Sequence, residues 1–161
     1  MTLINKIGTL SILSISIAFA TNNNIENNTT NMLSSMAGVW SANCYKMPNG
    51  KYASRTVNLK ANGDVIGDMT IFKDSNCTKE IKKVHKEYTM KLGKKSVADD
   101  KKEAYEVKKI GKNGWVVYSM IRMQSPTVII PAERTKDRNG STLKLRANHF
   151  TEKSIKCTKE K

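Results

Sequence analysis

The sequence predicts an all-β fold, an antiparallel up-and-down meander of eight or nine strands closed into a barrel. Turn signals of the Asn-Gly type recur between segments rich in β-forming residues. Within those segments, apolar and polar side chains alternate with the period of two that is typical of strands. An open sheet of so many short strands would expose long edges, and closure into a barrel or two packed sheets removes them.

The first twenty residues have the three parts of a cleavable export signal. Residues 1–6 carry one lysine, residues 7–19 are apolar, and Ala18-Phe19-Ala20 fits the rule for cleavage after Ala20. The apolar stretch is shorter than the ~20 residues that a membrane span needs. We therefore expect Sec-type export of a bacterial protein, periplasmic or secreted, that does not span the membrane after cleavage. The Asn- and Thr-rich residues 21–35 are predicted to be a flexible leader, and residues 36–161 the barrel domain.

Asn-Gly pairs mark the predicted hairpins of the domain. This pair is a strong hairpin signal because both central residues of a type I′ turn need positive φ. On one flanking segment, Ala53, Val57 and Leu59 share a face, as expected for a strand with one side in the core. The four pairs are Asn49-Gly50, Asn62-Gly63, Asn113-Gly114 and Asn139-Gly140.

Residues 79–92 fit two patterns. Ile81, Val84 and Tyr88 have helical spacing, whereas Tyr88, Met90 and Leu92 alternate as in a strand, and we favour one long strand. The polar residues 96–103 are predicted to be a loop or a single helical turn. Residues 127–130 lie between two prolines, which indicates a short or edge strand.

The three cysteines suit an oxidising compartment. We predict a Cys44–Cys77 disulfide, which in the chain-entropy model contributes on the order of 3–4 kcal/mol. Cys44–Cys157 is the alternative, because a closed barrel places its first and last strands side by side. An unpaired Cys157 would be either buried and inert or the link in a disulfide-bonded dimer.

The chain is strongly basic, with a formal net charge of +14. Lysines dominate and are concentrated between residues 79 and 112. A surface rich in lysine improves solubility, and it also attracts acidic partners as separate point charges. The acidic partners we expect are an anionic small ligand, an acidic protein or the cell-envelope surface.

The opening half of the domain, about residues 37–93, contains a spaced set of motifs: Gly38-Val39-Trp40, Cys44, Asn62-Gly63-Asp64 and Phe72-Lys73-Asp74-Ser75-Asn76-Cys77. This pattern resembles lipocalin-like (calycin) barrels, more specifically those of small exported bacterial proteins. In that family the two spaced cysteines pair and the tryptophan packs at the closed end of the barrel. A late arginine often crosses the face of the tryptophan, and Arg146 is the candidate for this structural role beside Gly38 and Trp40.

Local motifs for catalysis or metal binding are absent from the sequence. His85 and His149 have no cysteine or carboxylate at metal-ligand spacing, and neither a nucleophile elbow nor a phosphate-binding loop occurs. We therefore predict no enzyme activity, no metal and no cofactor. Nucleic-acid binding is not expected, because the lysines are not interleaved with aromatic residues.

Aromatic residues and methionines in two strands are the candidate ligand-binding residues. Methionine beside aromatic rings can line an adaptable apolar pocket, although the same residues also serve as ordinary core filler. We expect a non-enzymatic protein that binds a small amphipathic, lipid-like or anionic ligand within or at the mouth of the barrel. The alternative is a periplasmic protein-binding module, such as a hydrolase inhibitor or an envelope or host-interaction factor. The candidate residues are Trp115, Tyr118, Met120, Met123, Tyr88 and Met90.

Overall fold

The computed structural model describes residues 28–161, so the predicted signal peptide and residues 21–27 lie outside the described part of the chain. A helix, α1, occupies residues 28–36 and is followed by eight strands in an antiparallel meander. The eight strands close into one barrel, which confirms the predicted fold class. The strands are β1 (Gly38–Lys46), β2 (Tyr52–Leu59), β3 (Asp64–Phe72), β4 (Glu80–Val97), β5 (Glu103–Gly111), β6 (Val116–Ser125), β7 (Val128–Pro131) and β8 (Cys157–Lys159).

The barrel closes through β8, a strand of three residues. On one side β8 pairs with β1, where Ser41 lies opposite Thr158. On the other side it pairs with β7, where Ile129 lies opposite Cys157. The short strand thus supplies hydrogen-bond partners to both neighbours and removes the edges that an open sheet would leave.

The Asn-Gly turns have a different geometry from the predicted type I′. Gly50, Gly63 and Gly114 have positive φ, but Cys77 and Lys101 are the only non-glycine residues within 28–161 that do. The asparagines are therefore not left-handed. In each turn a type I bend ends in a left-handed glycine, the three-residue hairpin with a glycine bulge.

The fourth pair, Asn139-Gly140, does not join two strands directly. It lies in the connection of residues 132–156 between β7 and β8. This connection packs over the outer face of the barrel, where Met120 and Phe150 are buried against small residues of β5 and the β4–β5 turn. Both faces of β6 are consequently covered.

The structure confirms one long strand in this region: β4 begins at Glu80, one residue later than predicted, and continues as far as Val97. The predicted loop at 96–103 shortens to a turn at residues 98–102. Two carboxylates make this turn specific: Asp100 accepts two hydrogen bonds from the Arg122 guanidinium, at 2.7 and 2.8 Å, and Asp99 pairs with His149. The turn is thereby fastened to β6 and to the outer connection.

Helix α1 corrects the prediction of a flexible leader for residues 28–35. Its apolar residues Met32, Leu33 and Met36 pack against the barrel core, and Met36 is fully buried. The Trp40 indole donates a hydrogen bond to the Met36 carbonyl at 2.8 Å. These three apolar side chains cover one end of the barrel core. Because the residues around them are mostly polar, no apolar period in the sequence predicted the helix. No helical segment within residues 28–161 is both long and apolar enough to cross a membrane.

The cation over Trp40 is Lys159 and not Arg146. Its Nζ lies 5.6 Å from the ring centroid and donates to the Ser35 carbonyl at 3.2 Å. Gly38 makes room for it, because a Cβ at that position would lie 2.6 Å from Lys159 Cε. Arg146 is carried by the outer connection to the other side of the barrel wall, where it pairs with Glu106 at 3.4 Å.

A disulfide joins Cys44 to Cys77, as predicted, and excludes the Cys44–Cys157 alternative. It ties β1 to the β3–β4 turn. Cys157 faces the barrel interior from the short β8, whereas Cys44 lies on an exposed stretch of β1 beyond the residues that pair with β8. Because Cys157 is only 2 % exposed, a dimer bridged through it would require β8 to leave the barrel.

Gly63 is expected to tolerate alanine less well than Gly50. Both have positive φ, so alanine costs each position roughly 1–2 kcal/mol. At Gly63 the added Cβ would also lie 2.5 Å from the Met90 carbonyl oxygen, whereas at Gly50 nothing lies within 4 Å. Gly63→Ala should therefore lose at least ~1 kcal/mol more of unfolding free energy than Gly50→Ala, measured by urea denaturation. Equal losses would contradict this packing.

Candidate functional site

The upper half of the barrel, opposite α1, encloses a cavity of about 1080 Å³. This volume is at the upper end of the ~300–1000 Å³ typical of small-molecule sites. The mouth lies among the β1–β2 turn, Trp115 after the β5–β6 turn, and the start and end of the outer connection. Several mouth residues, including Lys46, Pro48 and Lys153, are exposed, so the cavity opens to solvent there.

The lower half of the barrel is filled. Trp40, Leu59, Val65, Met90, Val107 and Ile121 form a continuous buried core above α1. The floor of the cavity lies directly on this core. On β5, Val107 lies two residues from Lys109 and is only 2 % exposed. On β2, Val57 lies two residues from Arg55 and packs against the same core cluster. Arg55 and Lys109 thus each lie one inward-facing position from residues of this packed core.

Basic residues dominate the cavity lining. Seven basic residues line it against two acidic ones. Of the two acids, Asp68 is already engaged by His85 on the outer face, at 2.7 Å. The other is Glu133. The basic residues are Lys46, Arg55, Lys86, Lys109, Arg134, Lys153 and Lys156.

Arg55 reaches across the inside of the barrel wall. Its strand partner on β1 is the small Ala42, and the β1–β8 register places Cys157 on the far side of Ala42. The Arg55 Nη2 group donates a hydrogen bond to Cys157 Sγ at 3.0 Å. Its Nε is buried and has no hydrogen-bond partner within residues 28–161. The Nε–H group of the guanidinium is therefore free to donate a further hydrogen bond.

Lys109 enters the cavity from β5. Its Nζ lies 5.8 Å from the centroid of the Tyr88 ring, and it makes no ion pair with any residue in the described part of the chain. Desolvation, together with the positive charges of Arg55, Arg134 and Lys86, lowers the pKa of Lys109 from 10.5 to about 8, against a small opposing effect of Cys157.

Two tyrosines and a tryptophan form the aromatic part of the lining. Burial raises the pKa of Tyr45 and of Tyr88 above the usual 10.0, although the charge of Arg55 opposes it, so both hydroxyls are protonated at neutral pH. The Trp115 ring lies 5.8 Å from that of Tyr88. Its indole rests directly on Gly111, where any side chain would overlap it.

The six candidate residues from the sequence separate into three groups. Trp115 and Tyr88 line the cavity. Met90 and Met123 pack in or against the core of the closed end. Tyr118 and Met120 face outwards from β6: Lys108 Nζ lies 5.9 Å from the Tyr118 ring, and Met120 is buried under the outer connection. The period of two decides this, because Val117 and Ser119 are the β6 residues that face the cavity.

A second, smaller groove of about 560 Å³ lies on the outer surface beside Arg122 and Phe150. Its arginine is already engaged, since Arg122 forms a bidentate ion pair with Asp100 and lies 4.1 Å from the Phe150 ring. Within residues 28–161, His, Cys, Asp and Glu side chains form no group of three that could hold a metal ion. The barrel cavity, with its unpaired cations, is the stronger candidate site.

No protein-family model matches the chain, and no curated protein matches it in sequence. The geometry and charge of the cavity are therefore the basis for assigning a function.

Stability should rise with pH between about 8 and about 9.5 because of Lys109. In the unfolded chain its pKa returns to 10.5, so the unfolded state binds more protons in this window than the folded state with its pKa of about 8. Below that window Lys109 is protonated in both the folded and the unfolded state, so its contribution to the pH dependence of stability vanishes. Urea midpoints measured across the window should increase for the native chain and stay flat for Lys109→Met. Lys108→Met, on the outer face of the same strand, should keep the increase in urea midpoint with pH. If Lys108→Met also lost this increase, the effect could not be assigned to Lys109.

Gly111→Ala should displace Trp115 from the cavity wall. The added Cβ would overlap the indole, so the ring must move away from Tyr88 towards solvent. We expect a red shift and stronger iodide quenching of tryptophan emission, while the buried Trp40 provides a constant background. Gly114→Ala in the same turn, where nothing lies within 4 Å of the new Cβ, serves as the control. An unchanged emission spectrum in Gly111→Ala would show that Trp115 does not rest on Gly111.

Proposed function

We propose that this protein is an exported, non-enzymatic binding protein that holds a small amphipathic ligand in the upper half of its barrel. The observation that carries the proposal is the cavity of about 1080 Å³, open at one end and sealed at the other by α1 and Trp40. A protein-binding module that works through its loops needs only a filled barrel as its scaffold. The open cavity therefore favours the ligand-binding class.

The chemistry of the walls supports an amphipathic ligand. Apolar side chains such as Met69, Val84 and Val117 line the cavity together with the aromatic rings of Tyr88 and Trp115. Burial of an apolar tail against these walls contributes roughly 25 cal/mol per Å². Polar groups are concentrated at the floor and at the mouth, so a ligand with one apolar and one polar part matches the lining.

Two features support export. The Cys44–Cys77 disulfide is typical of proteins from an oxidising compartment. The sequence pattern of residues 1–20 predicts a signal peptide that would deliver the chain there. A periplasmic or secreted carrier, or a scavenger of amphiphiles, is consistent with both.

Filling the cavity should weaken ligand binding. Gly67 faces the interior from β3, and a Cβ there would lie 3.8 Å or more from its neighbours, so leucine can extend into the cavity without a backbone clash. We expect saturable binding of the neutral fluorescent probe N-phenylnaphthylamine to the native chain, and about tenfold weaker binding to Gly67→Leu. Asn58→Leu, which adds the same side chain at an exposed position, is the matched control.

Failure of the native chain to bind the probe would overturn the proposal. Binding that Gly67→Leu leaves unchanged would place the probe outside the barrel and overturn it as well. Native mass spectrometry of protein purified from its own compartment provides an independent measurement. A retained adduct of lipid size supports the proposal, whereas a co-purifying protein and no adduct would favour the protein-binding alternative.

A further inference from the structure

Two cations inside a barrel require an explanation. Buried charged side chains are normally paired, because an unpaired charge loses its hydration without compensation. Arg55 and Lys109 both point into the cavity, and within residues 28–161 neither forms an ion pair with a carboxylate. Their partners are the Cys157 sulfur, at 3.0 Å from Arg55, and the face of the Tyr88 ring, at 5.8 Å from Lys109.

The two cations have equivalent positions on their strands relative to the packed core. Each lies one inward-facing position above the packed core, Arg55 on β2 and Lys109 on β5. Both residues line the same cavity, and the charge of Arg55 acts on the Lys109 ammonium. In the described part of the chain the buried Arg55 Nε has no acceptor, and the protonated hydroxyls of Tyr45 and Tyr88 line the same region.

Placing two like charges together in a partly desolvated site destabilises the empty protein. Apolar residues would fill these positions at lower cost, as Val57 and Val117 do beside them. An anion bound between the cations would supply the missing charge and acceptors. The interaction would be strong because the floor is shielded from bulk water.

The mouth also carries lysines, but these differ from the floor cations. Lys46, Lys153 and Lys156 are exposed, and ion pairs formed by hydrated surface lysines contribute little. Their net effect is to attract anions towards the opening. Between mouth and floor the walls are apolar and aromatic, and the space suits the tail of a ligand.

We propose that Arg55 and Lys109 form an anion subsite at the floor of the barrel, and that the ligand is a single-chain amphiphile with an anionic oxygen head group bound head-first. This inference rests on the proposed function and specifies its ligand class. A carboxylate and a phosphate monoester share the required chemistry, since both present oxygen acceptors to a guanidinium and an ammonium.

The test compares ligands that have the same tail and different heads. Dodecanoic acid, dodecyl phosphate and dodecanol each compete against N-phenylnaphthylamine, and inorganic phosphate competes without any tail. For the native chain we expect at least one of the two anions to bind about tenfold or more tightly than dodecanol, in keeping with one or more charge-assisted hydrogen bonds. Inorganic phosphate should displace the bound amphiphilic anion and the bound N-phenylnaphthylamine only weakly.

Variants locate the head group. Arg55→Met and Lys109→Met should each weaken binding of the preferred anion about tenfold or more, and should leave binding of dodecanol and the probe within about twofold. Retained probe binding shows that these variants are folded. Lys109→Arg keeps a cation at the floor and should preserve the preference for the anion. Lys108→Met, which removes the neighbouring outward-facing lysine, is the control for net charge.

The outcomes separate the two proposals. Absence of binding by every ligand and by the probe would overturn the proposed function itself. Equal affinity for dodecanol and both anions would overturn the anion subsite and leave the ligand-binding function standing. A larger loss from Lys153→Met than from Arg55→Met would place the head group at the mouth and overturn head-first binding. Inorganic phosphate that binds as tightly as dodecyl phosphate would assign the subsite to a free anion and overturn the amphiphile.

Discussion

Closure of the barrel by β8 is the constraint on which the rest of the structure depends. Three residues, Cys157–Lys159, pair with both β1 and β7 and so convert a meander into a closed surface. Closure gives every strand one face that points inwards, and the period of two then decides which side chains share the interior. The same short strand contributes the sulfur that holds Arg55 and the lysine that covers Trp40.

The two ends of the barrel have opposite properties, and this asymmetry is the basis of the proposed function. At one end α1, Trp40 and the surrounding core exclude water and supply burial energy. At the other end the turns hold the mouth open, and the Cys44–Cys77 disulfide ties two elements of the rim together. The packed half stabilises the fold, so the open half can hold charged groups that destabilise the unliganded protein.

Much of the fold could be predicted from local sequence signals. Alternating residues and Asn-Gly pairs predicted the meander, and the spacing of Cys44 and Cys77 suited a disulfide between neighbouring elements. The alternation on β2 is also consistent with the interior position of Arg55, because Arg55 has the same parity as Ala53, Val57 and Leu59. Lys109 has the same parity as Val107. Neither residue was predicted to face the interior, because charged side chains are usually exposed, although each shares the parity of apolar residues on its strand.

The sequence by itself determined the order of the strands, the position of the hairpin turns and which side chains of a strand share a face, because these depend on neighbours a few residues apart. Only the tertiary structure decided that Lys159 and not Arg146 lies over Trp40, that residues 28–36 seal one end, and that Met120 faces outwards under a connection. It also decided that half of the interior stays empty. These features depend on contacts between residues far apart in the chain, which form only when β8 closes the barrel and fixes the space that the inward-facing side chains must share.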